Sequence, residues 1–195
     1  QLSYQEVANN LNIETWQVPK LLDKEGIPRR FERTLIVGPK SSLSAWDRGL
    51  SGDETERYLK EKQELFVVNG QKKDESLLDN IKNNKWIFLN YESLSTKING
   101  EDTPLAKVLS DIGYDHVIFD ESHNIKGRKE QTKKGRLTRS GASRYLANRS
   151  EFITLLSGSP IPDKLRDYAV PFSLLNPEEC NSPEDFDELY QKSPR

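Results

Sequence analysis

The chain has 195 residues, enough for one α/β domain with a core of its own. Apolar residues make up 34% and charged residues 31%, a polar composition that still lies above the range of disordered chains. The net charge of −2 excludes a molecule that attracts nucleic acid as a whole; the single cysteine excludes a disulfide framework, and with two histidines it argues against a metal cage.

The chain opens on Gln1 rather than Met, as a piece of a longer protein would. It shows no signal-peptide pattern, and its apolar runs fall far short of the roughly 20 residues that cross a bilayer. With one cysteine, the expected setting is a reducing intracellular compartment: cytoplasm, of prokaryotic or phage origin, or nucleus. Residues 1–33 are expected to form a segment of their own. In Leu2 to Pro28, Val7, Ala8, Leu11, Ile13, Val18 and Leu21 fall at the apolar positions of a helix-turn-helix, with Asn12 at the turn and Gly26 ending the second helix. Pro19 fits only if Thr15 caps that helix and Pro19 lies in its first turn. A plain packing pair of amphipathic helices would show the same pattern.

From residue 34 onward, apolar runs alternate with amphipathic segments. Thr34–Gly38, Leu65–Asn69, Trp86–Asn90, His116–Asp120 and Phe152–Ser157 read as strands. They are apolar throughout rather than alternating, which predicts a sheet covered on both faces. Helices are predicted over residues 42–50, 74–83, 103–112, 140–147 and 164–175. The alternation predicts a doubly wound, mainly parallel sheet. Sites in such sheets lie at the carboxyl ends of the strands. There the polar punctuation falls: Pro39-Lys40-Ser41, Asn90-Tyr91-Glu92, Asp120-Glu121 and Ser157-Gly158-Ser159-Pro160.

Asp120 and Glu121 leave the tip of an apolar strand. Neighbouring side chains on a strand point to opposite faces, so the two acids can serve different partners. One can hold Mg²⁺ through water and the next can orient or deprotonate a water attacking a phosphate. An acid-rich helix N-terminus would use the same residues without chemistry. From Ser122 to Ser150 nine basic residues, among them Lys126, Arg128, Lys129, Lys133 and Lys134, face one acid in sequence, Glu130. Such a loop suits phosphate contacts, or is a solvated loop balancing the six acids of the tail from Asn176 to Glu188. That tail is expected to be a solvated helix or linker. Trp46 and Trp86 read as core or rim aromatics.

Four stretches in order carry a family resemblance. Asp120-Glu121-Ser122-His123, continued by Asn124-Ile125-Lys126, resembles the DExH motif of Swi/Snf-type superfamily 2 helicases. Thr34 to Trp46 resembles their motif Ia, Ile87 to Leu94 the strand with a Tyr-Glu signature, and Leu156 to Pro177 motif III with the helix after it. The resemblance implies the first RecA-like lobe of an ATP-driven motor on double-stranded DNA over residues 34–195, of the P-loop NTPase type. A second RecA-like lobe would come from the rest of the protein. It implies catalytic roles for Glu121, Asp120 (with Mg²⁺) and His123, and nucleotide coupling through Ser157, Gly158 and Ser159. Pro39, Lys40, Ser41 and Tyr91, with the basic stretch, become candidate DNA contacts.

Two departures bear on this. Ser157 and Ser159 stand where the family usually has Thr, and Asp163 where it often has Asn. Nothing fits the phosphate loop G-x-x-x-x-G-K-[ST], since no glycine precedes Gly26. Ala8 to Leu22 offers a third reading as a decayed phosphate loop, with Glu14 in place of the lysine and an unfavourable charge toward ATP. The alternative to a motor is an inactive helicase fold serving as a DNA-binding or scaffold module.

Overall fold

The structure, a computed structural model, describes residues 10, 33–68, 74–97, 103–127, 129–133, 135–161, 164–180 and 182–190. The expectations for residues 1–32, and for Arg128, Lys134 and Asp163, fall outside these, Asn10 apart. Five parallel strands, β1 (Thr34–Gly38), β2 (Leu65–Val68), β3 (Trp86–Asn90), β4 (His116–Phe119) and β5 (Phe152–Leu155), form one sheet in the order β2-β3-β1-β4-β5. The fold is thus the expected RecA-like α/β sheet.

The strands form where continuous apolar runs can be covered twice. Leu35, Val37, Ile87, Leu89, Val117 and Phe119 face one core, and Ile36, Phe88 and Ile118 face the other. Helices α2 (Glu75–Asn83), α3 (Leu105–Ile112) and α4 (Arg139–Ala147) close the first face through Ile81, Leu109 and Leu146. Helix α1 (Leu43–Ser51) closes the second through Leu50, with Trp46 beside it. Each such aliphatic or aromatic side chain, once buried, contributes about 1.5–3 kcal/mol. Local signals set the helix ends. Asp74 accepts the Leu77 N–H at 3.2 Å at the start of α2, and Gly113, at φ 82°, ends α3.

The connection after β1 runs to one face, while those after β3 and β4 run to the other. The chain therefore reverses direction at β1, and a crevice opens at the carboxyl end of the sheet. The acidic tail forms the expected surface helix, but one of its stripes is docked rather than solvated. Helix α6 (Pro183–Tyr190) buries Phe186 to 2% exposure against Cys180 and Ala169 at the start of α5 (Ala169–Leu175). Phe172, Phe186 and Tyr190 stack with ring centroids 5.0–5.6 Å apart. Charge density along the sequence hid this one apolar stripe.

Candidate functional site: the carboxyl rim of the sheet

Strand register brings the predicted residues onto one rim. Gly38 pairs with Asn90, Val37 with Phe119, and Phe119 with Leu155. Pro39, Tyr91, Asp120 and Leu156 are therefore each the first residue past a strand, with Ser157 one step beyond. The strand tips are close at Gly38: a Cβ there would lie 3.1 Å from the Cβ of Asp120 and 3.0 Å from Ser42 Oγ, so those side chains would have to give by a few tenths of an ångström.

Asp120 is held at every polar atom. Its N–H donates to the Val37 carbonyl at 2.8 Å, and its own carbonyl accepts from the Tyr91 hydroxyl at 2.8 Å. Its carboxylate accepts from the Glu121 N–H and from the Trp46 indole N–H, both at 2.9 Å. Tyr91 was expected at a DNA backbone. It is instead 2% exposed and braces the rim from inside. Burial first, then the Asp120 carboxylate, push its hydroxyl far above the usual phenol range, so it stays a donor.

Glu121 turns the chain out of the strand with φ 50° and ψ 52°, in the left-handed region. Its carbonyl accepts from the backbone and side-chain N–H groups of Asn124, both at 2.9 Å. Its carboxylate lies 3.2 Å from His123 Nδ1, which lies 3.2 Å from Ser157 Oγ. Ser157 Oγ also accepts the Ser159 N–H at 3.1 Å. The acids of the strand tip are thus linked through His123 to Ser157 and Ser159, with Gly158 exposed between them.

Beside this chain of contacts lies a cleft of about 380 Å³, lined by Pro39, Lys40, Asn90, Tyr91, Glu92, Asn124 and Arg139. Lys40 is exposed on its lip, Ser41 is the exposed residue next in the chain, and an Arg139–Glu92 ion pair spans its far side. Lys126, Lys129 and Lys133 are exposed on the segment after the strand tip. A second concavity, about 780 Å³, opens next to that segment and is lined by Lys97, Lys107, Arg136 and Tyr145 among others. Three of the nine basic residues are paired with acids, two of which lie outside the stretch itself. Arg139 pairs with Glu92, Arg149 with Asp111 at 2.6 Å, and Arg144 with Glu130 at 3.1 Å.

Among the described residues no group of three or more His, Cys, Asp or Glu side chains could cage a metal. Each Asp120 oxygen has one donor and a lone pair to spare. This fits a Mg²⁺ held by one carboxylate, water and substrate phosphate rather than by protein alone. Sequence reasoning missed the Trp46–Asp120 bond, although Trp46 closes the stretch that begins at Thr34. It placed Asn124 in the motif without its bond to the Glu121 carbonyl, and missed the Glu92–Arg139 pair.

A family model described as the SNF2-related domain matches residues 13–194. Among curated proteins, none matches the chain.

Proposed function

The chain belongs to the SNF2-related domain family of helicase-like ATPases, and from that premise we propose that it is the first lobe of a motor that hydrolyses ATP to move along double-stranded DNA. A second RecA-like lobe would be supplied by the remainder of a longer protein. The single observation that carries the reading is the rim itself. Asp120, Glu121, His123 and Ser157 form one connected array at the tips of β4 and β5, with β4 directly beside β1, where the chain reverses direction.

In this reading Glu121 orients the attacking water and takes its proton. Asp120 holds the site of Mg²⁺, which when bound neutralises charge on the phosphate oxygens. His123 ties the Glu121 carboxylate to Ser157, so a shift in the segment Ser157–Ser159 would be felt at the acid. Pro39, Lys40 and Ser41 at the cleft, with Lys126, Lys129 and Lys133, meet the DNA backbone as positional contacts without base readout. The lysine- and arginine-lined concavity next to them supports the same surface.

If Ala8 to Leu22 is the family's phosphate loop, Glu14 stands where its lysine would, and that favours a second reading, an inactive helicase fold that binds or scaffolds DNA. ATP hydrolysis by the full-length protein, with and without duplex DNA, separates the two. The motor reading expects DNA-stimulated hydrolysis that Glu121→Gln lowers by about 10²–10⁴-fold. Hydrolysis untouched by Glu121→Gln overturns the role of that acid. Salt-sensitive DNA binding with no hydrolysis supports the scaffold.

A further inference from the structure

We propose that Trp46 is the positioning residue of Asp120: its indole N–H locks the carboxylate so that the remaining lone pairs face a divalent cation. The inference rests on the reading of Asp120 as the acid that holds Mg²⁺.

The indole has no freedom to serve otherwise. It is a donor only, so an acceptor is its sole polar use. Its ring sits in the second core beside Leu50, Ile36 and Phe88. The strap after α1 closes on it. Tyr58 meets the Trp46 ring edge-on, centroids 6.1 Å apart at 90°. Tyr58 can lie that close to α1 because Gly49 has no side chain: a Cβ there would fall 2.1 Å from the Tyr58 ring. The Tyr58 N–H is fixed to the Gly49 carbonyl at 2.7 Å. Rotation of the Asp120 carboxylate would break both the Trp46 bond and the Glu121 N–H bond, each 2.9 Å.

Among the described residues Asp120 has no ion pair, and both of its carboxylate donors are neutral. Its orientation is thus fixed by neutral donors that leave a lone pair on each oxygen for a cation.

The test uses the indole ¹H–¹⁵N resonances of the full chain. Asp120→Ala should move the Trp46 indole resonance upfield and speed its exchange with water. Trp86, whose indole donates to Gln63 at 3.2 Å, should stay in place as the internal control. An unmoved Trp46 resonance overturns the proposal. Mn²⁺ supplies the second arm, read by paramagnetic broadening of the Glu121 amide. Trp46→Phe keeps an aromatic ring against Tyr58 but removes the donor, and should weaken Mn²⁺ binding several-fold in a chain whose amide spectrum remains dispersed. Equal Mn²⁺ affinity in the two chains overturns the positioning role. If Mn²⁺ broadens nothing near Asp120 even in the unsubstituted chain while the indole shift is present, the metal role fails and takes the proposal with it, leaving only a structural bond. The two arms therefore distinguish a wrong bond from a wrong reading of the acid.

Discussion

Glu121 is the non-glycine residue with a positive φ among those described, and a left-handed backbone costs a residue with a side chain about 1–2 kcal/mol. Asparagine tolerates that region better, so a glutamate placed there against the local preference points to a use for its carboxylate. Glu121→Asn should leave the thermal midpoint unchanged or raise stability by up to about 1 kcal/mol, while lowering the proposed hydrolysis by about 10²–10⁴-fold. A loss of more than about 1 kcal/mol in calorimetry would instead make the His123 contact structural. His116, at the opposite end of β4, gives a pH prediction. Burial lowers its pKa from the ordinary histidine value, and its Nε2 lies 2.8 Å from Thr154 Oγ1. The unfolded chain binds the proton more readily, so this residue's contribution is intact above about pH 6.5 and is lost as pH falls below it. The midpoint should therefore drop on acidification, and His116→Gln should flatten that drop; an identical pH profile in the variant removes His116 as the cause.

At the level of elements, strands were the most legible feature. β1 and β3 begin and end where their apolar runs do, because Pro39 and Asn90 stop them. β5 was read two residues too long: Leu156 already leaves the ladder to accept the Ser122 N–H at 2.8 Å. Of the site, the acids could be read because a strand tip is a local pattern. The Trp46–Asp120, Glu92–Arg139 and Asp111–Arg149 contacts could not, being separated by 74, 47 and 38 residues. Helix α4 shows how such contacts reverse a local rule. Thr138 caps it by accepting the Gly141 N–H at 3.1 Å, and the Thr138 N–H and hydroxyl both reach the Glu130 carbonyl. The basic segment is thereby pinned to the helix start. In an ordinary helix Gly→Ala stabilises by about 0.5–1 kcal/mol. At Gly141 the added Cβ would meet the Glu130 carbonyl oxygen at 2.1 Å, a backbone atom that cannot step aside. Gly141→Ala should therefore destabilise by about 1–3 kcal/mol in denaturant unfolding. A gain in stability would show that the segment is not docked there.

The whole molecule carries a net charge of −2, so any pull on DNA must come from how its charges are sorted. The fold does that sorting. Arg139, Arg144 and Arg149 are matched with Glu92, Glu130 and Asp111, while Lys129 and Lys133 stand exposed. Counting cations along the sequence would therefore overstate the proposed DNA surface, which pairing in three dimensions limits to the rim and the segment beside it. Binding to duplex DNA should weaken with salt, the logarithm of the binding constant falling by about 0.9 per phosphate contact for each unit of log salt. Lys129→Ala with Lys133→Ala removes two contacts, so the slope should become shallower by about 2, equally for every duplex sequence. Arg149→Ala deletes a cation already held by Asp111 and should leave the slope where it was. A slope that moves as far for Arg149 as for the lysine pair would mean that total charge, not contact, sets the affinity. The segment would then be a solvated loop balancing the acidic tail.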